Sequence, residues 1–372
     1  MMKIKSGLSG ILTTIYRAAT ALALTAICVF TVLYREYAFS GVYAGLMLCL
    51  NTLIPSLFPF VVLSCIISHS ATSELLCRPL SPILRHVFRL PPCAASAVIF
   101  GLTAGYPTGA KITASLYEDG RMNREQTSRL LCFCTSPGLA FSLYTASMLR
   151  GGSRTGFLLF AACAASPLLI GAFISRRAAV PPHTEKSAVQ SGSFTNSVRE
   201  GVSAMVSMCA FVIVFSGMIS ILEGSGLISA LSTVLSAILG ITTDEASAAV
   251  KFLLEVTSGV QSCGLYRLSP VLAALGLGFS GVCIHTQLFS FFKGSKAPLS
   301  YGAYLFTRIM NSLLCAAVFV LLSFLFPTSE PVSTATAPLI SVRRCDPTLS
   351  AALLLLSAYF LIYCGRLRRR GH

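Results

Sequence analysis

The sequence predicts an all-α polytopic membrane protein made of two inverted-topology repeats, each with a re-entrant hairpin and a broken transmembrane helix, about eight spans plus two hairpins. Three observations predict it. Of 372 residues, 54% are hydrophobic and only 11% charged, and the mean hydropathy is +0.76, far too apolar for a soluble domain of this length. The lysines and arginines behind the formal charge of +15 sit in short loops between apolar runs. That is the positive-inside pattern of a membrane protein, and not a basic stretch interleaved with aromatics for nucleic acid. Third, the polar stretch LTAGYPTGAK at Leu102–Lys111 ends an apolar run too short to cross. Irregular backbone at membrane depth survives only where protein or a water-filled cavity satisfies it, so such a tip marks a path or a site.

At the amino end, Lys3, Lys5 and Arg17 precede an uncharged run, Ala18–Leu33. Ala38, Phe39 and Ser40 resemble a signal cleavage site, but Arg35 and Glu36 intervene after a run of membrane length. Residues 1–40 are therefore read as a retained transmembrane helix, with Gly41 starting outside. Residues 41–177 form the first repeat. Gly41–Ser68 is a span interrupted by Asn51, Pro55 and Pro59. Glu74–Leu90 reads as an amphipathic helix on the cytoplasmic face, with His69 and His86 interfacial and without metal-ligand spacing. Pro92–Thr103 would be a helix of only about 18 Å against a hydrocarbon core of about 30 Å. Ala110–Tyr117 returns from the tip, and basic flanks on both sides assign the hairpin to the cytoplasmic face. Thr127–Leu149 is a span broken at Thr135, Ser136, Pro137 and Gly138. Arg150–Arg154 is an outside turn, and Thr155–Ser175 returns. Residues 178–197, polar and proline-containing, are a cytoplasmic linker.

The pattern then recurs over residues 198–327. Val202–Leu222 spans, Leu227–Leu239 is short and amphipathic, and Ala246–Val256 is too short to cross and leads into the polar tip LEVTSGVQSC. Leu268–Phe292 is a second broken span, with Gly278–Gly281 at the break and His285, Thr286 and Gln287 after it. Tyr301–Phe326 spans with Arg308 and Asn311 in its first half. With basic loops inside, the second repeat starts on the opposite face from the first. Residues 328–372 supply an outer loop, a last span at Leu349–Cys364 and a cytoplasmic tail with Arg366, Arg368, Arg369 and Arg370. Fourteen cysteines, scattered through apolar segments, read as small buried hydrophobes.

Four motifs carry a family resemblance: GYPTGAK at Gly105–Lys111, NTLIPSLFPFVVLS at Asn51–Ser64, LLEVTSG at Leu253–Gly259 and GFSGVCIHTQ at Gly278–Gln287. Over about residues 41–326 the chain resembles the sporulation integral membrane protein YlbJ family, which carries the nucleoside-recognition or Gate domain. CTSPG at Cys134–Gly138 departs from the asparagine-rich stretch expected there. The resemblance implies a fold similar to the concentrative nucleoside transporters, with hairpins and unwound helices around a central site. It also implies a role in endospore formation, moving dipicolinic acid out of the mother-cell cytosol across the outer forespore membrane.

A planar pyridine with two carboxylates calls for cationic or N–H donors at both ends and a flat apolar wall. Half-helix amino termini supply N–H groups and partial positive charge. The candidate substrate-binding residues are the two tips, Gly105, Tyr106, Thr108, Gly109 and Lys111 in the first and Glu255, Thr257, Ser258 and Gly259 in the second, together with Ser136, Ser280 and Gln287 at the breaks. Lys111 either faces the substrate or snorkels to the cytoplasmic face. Glu255 either pairs with Lys111 or Arg308 or takes up a proton. Tyr106 stacks on the ring or packs with a bonded hydroxyl. No cofactor, metal or nucleic acid is expected, and no enzymatic activity. The expected partners are a small anionic substrate and the lipid bilayer, with a coupling ion as an optional third. Against this stand a nucleoside or other small metabolite as substrate, a non-transporting sporulation envelope assembly role, and an intramembrane protease using Ser280 and His285. Those last two residues lie five apart on one segment and project in different directions, against a base reaching its nucleophile.

Overall fold

The computed structural model describes residues 21, 22, 25–68, 78–179, 194–292 and 298–327. All belong to one compact unit. Among the described residues the regular structure is all helical, as backbone in lipid requires. Among the described residues, six segments are long and apolar enough to cross a membrane: Arg35–Ile66, Arg124–Met148, Ser153–Ser175, Phe194–Gly224, Pro270–Ser290 and Tyr301–Leu325. They coincide with six of the expected spans, and the chain is a multi-pass membrane protein. The expected span at Leu349–Cys364, the outer loop, the basic tail, Lys3, Lys5, Arg17, His69 and most of the 178–197 linker lie outside the described residues. Of Ala18–Leu33, residues 21, 22 and 25–33 are described and helical.

In the first half, α1 (Arg35–Leu48) passes through one π turn, Cys49–Leu53, into α2 (Ile54–Ser68). Residue 40 lies inside α1. Pro55 has no N–H for the carbonyl four residues back, and the π turn absorbs that gap; the Ser56 hydroxyl donates to the Thr52 carbonyl at 2.6 Å. A surface segment of short 3-10, α and π turns, Arg78–Phe88, ends where Arg89 turns left-handed, φ 50. Next come α3 (Ala94–Thr103) and α4 (Tyr106–Glu118), the arms of the first hairpin, then α5 (Arg124–Phe133), α6 (Gly138–Met148) and α7 (Ser153–Ser175). The second half runs α8 (Phe194–Gly224), α9 (Leu227–Leu239), α10 (Thr243–Leu254), α11 (Val256–Tyr266), α12 (Pro270–Phe279), α13 (Gly281–Ser290) and α14 (Tyr301–Leu325). Both halves thus follow one order: span, short surface element, hairpin, broken span, span.

The hairpin loops are tighter than the polar stretches suggested. Ala104 and Gly105 alone reverse the chain, with Gly105 at φ 110, so Tyr106–Lys111 is the start of α4 and not irregular backbone. Pro107 falls in the first turn, where its missing N–H costs nothing and its fixed φ suits a helix. In the second hairpin Glu255 alone, in extended backbone, separates α10 from α11.

Candidate functional site

Each hairpin tip lies against the break of its own half. Gly138 opens α6 at φ 74, and a Cβ there would come 2.8 Å from the Thr103 carbonyl oxygen and 3.0 Å from the Gly105 nitrogen. Gly281 opens α13 at φ 67, where a Cβ would meet the Phe252 and Leu254 carbonyls at 3.0 and 3.3 Å. Only glycine combines that backbone conformation with that approach. Gly101 and Gly109, on opposite arms of the first hairpin, both face the Cys134 carbonyl so closely that a side chain on either would collide with it. Gly259 packs on the Phe252 ring. The halves also cross-link: the Tyr106 hydroxyl, buried, donates to the Leu277 carbonyl in the last turn of α12 at 2.7 Å.

Breaking a helix frees carbonyls, and one face of α14 supplies donors to both breaks. Arg308, fully buried, donates from Nη1 to the Thr135 hydroxyl at 3.0 Å and its carbonyl at 3.4 Å, and from Nη2 to the Cys132 carbonyl. Its guanidinium lies 5.3 Å from the centre of the Tyr304 ring. Asn311 donates to the Gly278 carbonyl at 2.8 Å, and Ser312 to the Leu275 carbonyl at 2.7 Å. Positions i, i+3 and i+4 of one helix therefore tie the end of α5 to the end of α12. A cation at the carboxyl end of α5 also complements that half-helix's dipole.

Glu255, only 2% exposed, caps its own helix. It accepts from the Thr257 and Ser258 N–H groups at 2.9 and 2.7 Å, from the Ser258 hydroxyl at 3.0 Å and from the Thr257 hydroxyl. Its carboxylate is held by the α11 amino terminus, and no ion pair joins it to Lys111 or Arg308. Lys111 instead turns to α8, donating to the Glu200 carbonyl at 3.0 Å with the Glu200 carboxylate at 3.8 Å. A matching pair serves the second hairpin: Lys251 on α10 meets Glu223, near the other end of α8, at 2.5 Å.

The amino termini of α4, α6 and α13 carry no side-chain cap. Thr108, in the first turn of α4 and 5% exposed, has a hydroxyl without a hydrogen-bond partner, and the buried Gln287 has a free Nε2. Ser136 donates to the Cys163 carbonyl at 3.2 Å. Ser280 donates to the Leu277 carbonyl at 3.4 Å, while the His285 ring nitrogens contact the Phe279 carbonyl at 2.9 Å and the Tyr301 hydroxyl at 3.4 Å. Among the described residues no three His, Cys, Asp or Glu side chains gather to hold a metal. Sequence reasoning did not select Arg308, Asn311, Glu200, Glu223 or Lys251 as site residues, although a lone arginine or lysine in an apolar segment is itself a signal.

Where α7 crosses α14, the Cys163 and Cys315 sulfurs are 3.5 Å apart and buried. Mild oxidation with a membrane-permeant reagent is expected to join the two halves covalently. With a protease site engineered between residues 180 and 193, the cleaved chain should then run as one band without reductant and as two with it. Two bands in both lanes would show that the helices cross elsewhere.

No family model matches the chain, and no solved structure matches it. The chain is similar to the sporulation integral membrane protein YlbJ of Bacillus subtilis strain 168, with 22% identity over 322 residues, covering 78% of this chain and 78% of that one. That similarity supports a YlbJ-like family for a chain whose multi-pass helical build fits an integral membrane protein.

Proposed function

We propose that the protein is a secondary-transporter-like carrier of a small carboxylate anion, dipicolinic acid, working by alternating access between two inverted repeats. One observation carries the reading. Lys111 on the first hairpin and Lys251 on the second are held by Glu200 and Glu223, roughly 35 Å apart along α8 at about 1.5 Å per residue. That is about the thickness of a bilayer core, which favours hairpins inserted from opposite faces, each latched at its own side. The substrate class follows from an asymmetry between the tips. The α11 amino terminus already holds a carboxylate, that of Glu255, whereas α4 and α6, whose uncapped amino termini meet at Gly105 and Gly138, hold none. Adjacent helix amino termini attract an anion, and the unpartnered Thr108 hydroxyl adds a donor there. In this reading Glu255, Thr257 and Ser258 form a structural counterpart of the substrate site, and Lys111 serves the latch. The curated relative's name places it in sporulation, and we carry that role over, with the outer forespore membrane as the location. The reading involves no covalent chemistry, and the Ser280 and His285 contacts above give no support to a protease.

Purified protein in liposomes is expected to move labelled dipicolinate faster than protein-free liposomes do. Thr108→Val should weaken apparent affinity about tenfold or more, the worth of one hydrogen bond to a charged group. Flux equal to that of protein-free liposomes would refute transport. Uridine carried in place of dipicolinate would replace the substrate with a nucleoside.

A further inference from the structure

A groove of about 690 Å³ opens beside the first hairpin, away from the tips, between the surface segment, α3 and α7. Its lining is almost wholly apolar. On α7 the wall is an i+4 row, Phe160, Ala164, Leu168 and Ala172, flanked by Ala165 and Leu169, and the alanines leave the hollow; Val87 and Leu102 face it from the other elements. The row is roughly 18 Å long at about 1.5 Å per residue, close to one leaflet of a core of about 30 Å. One step further along the same face is Arg176, exposed, followed by Arg177, also exposed. Arg89 closes that end, donating from Nη1 to the Ala178 carbonyl. Arg129 donates from Nη2 to the Arg89 carbonyl at 3.1 Å, while its Nε and Nη1 are buried without a hydrogen-bond partner. An acidic group at this end, Glu125, lies 4.0 Å from the Arg129 Nε.

An apolar slot one leaflet long that ends in arginines matches an amphiphile with a fatty chain and a negatively charged head. We infer that the groove is a binding site for an anionic phospholipid of the bilayer, its acyl chain along the α7 row and its phosphate among Arg89, Arg129, Arg176 and Arg177. A zwitterionic lipid would fill the slot equally well and leave the arginines without net counter-charge. Because Leu102 and Thr103 line the slot just before the tip, the lipid forms part of the wall against which the first hairpin rests. This site is separate from the transport reading and stands without it.

The chain contains no tryptophan, so a single one reports its own surroundings. Val87→Trp and, independently, Leu169→Trp place it at half-exposed groove positions, and Phe324→Trp, on α14 and 82% exposed, serves as control. The full chain is placed in phosphatidylcholine vesicles containing rising fractions of phosphatidylglycerol brominated on its acyl chains. The groove tryptophans should quench at several-fold lower phosphatidylglycerol fractions than the control, with no such difference for brominated phosphatidylcholine. Adding Arg176→Gln and Arg177→Gln should remove most of that several-fold preference and leave the control curve unchanged. Identical phosphatidylglycerol curves at groove and control would reduce the site to ordinary surrounding lipid and overturn the inference. Groove tryptophans quenched by neither lipid would mean that protein fills the slot, which overturns it as well.

Discussion

Arg308→Leu is expected to be the most damaging single side-chain replacement described for this chain. The substitution removes the donor to the Cys132 carbonyl and to both oxygens of Thr135, at a depth where water does not replace it. Each stranded acceptor costs about 1–3 kcal/mol. Against this stands the expense of burying a guanidinium with no carboxylate beside it, which leucine would relieve. The stranded acceptors win, because two of them belong to backbone that no substitution at position 308 can delete, and because the arginine's charge is already offset by the α5 carboxyl terminus and the Tyr304 ring. Melting of the detergent-solubilised variant should fall by roughly 5 °C or more, and dipicolinate flux should fall with it. Arg308→Lys should recover only part of the loss, since one ammonium cannot reproduce a fork spanning Cys132 and Thr135. Leucine at 308 with unchanged melting and unchanged flux would remove the arginine from the account.

The same arginine shows what was legible in the chain and what was not. Spans and breaks were readable because length in lipid and the presence of glycine or proline are local properties: Gly138 and Gly281 lie within the breaks read from sequence and adopt the left-handed backbone that only glycine takes easily. Which carbonyls a break frees, and which helix crosses them, are non-local, so Arg308 was visible as a lone cation but its partners were not. GYPTG was read as irregular backbone because proline and glycine usually stop helices, whereas Pro107 sits in a first turn, where it starts one. Glu255 was weighed against distant cations, although the donors that hold it lie two and three residues further along in Thr257 and Ser258. Lys251 was not singled out within its short apolar run, and only the fold brings Glu223 to it.

The two latches yield the sharpest expectation, because they should act with opposite sign. If the hairpins alternate, removing one latch weights the state open to that latch's own face. The contacts are unequal. Lys251 and Glu223 lie 2.5 Å apart with side chains 11% and 44% exposed, whereas Lys111 and Glu200 are 3.8 Å apart with side chains 28% and 41% exposed. With a carboxylate more than a third exposed in each pair, solvent screening leaves the closer first pair worth about 1 kcal/mol and the longer second pair less. Phe279→Trp, beside the second break, supplies the sole tryptophan for iodide quenching in uniformly oriented proteoliposomes, with iodide added outside or trapped inside. Lys251→Met should raise quenching roughly fivefold from the face at the Gly224 end of α8. Lys111→Met should raise it by less, about threefold or under, and from the Phe194 end. If both substitutions open the same face, the hairpins do not work from opposite sides and alternating access between inverted repeats is wrong. If neither changes quenching while flux persists, the lysines hold the hairpins in place without gating them.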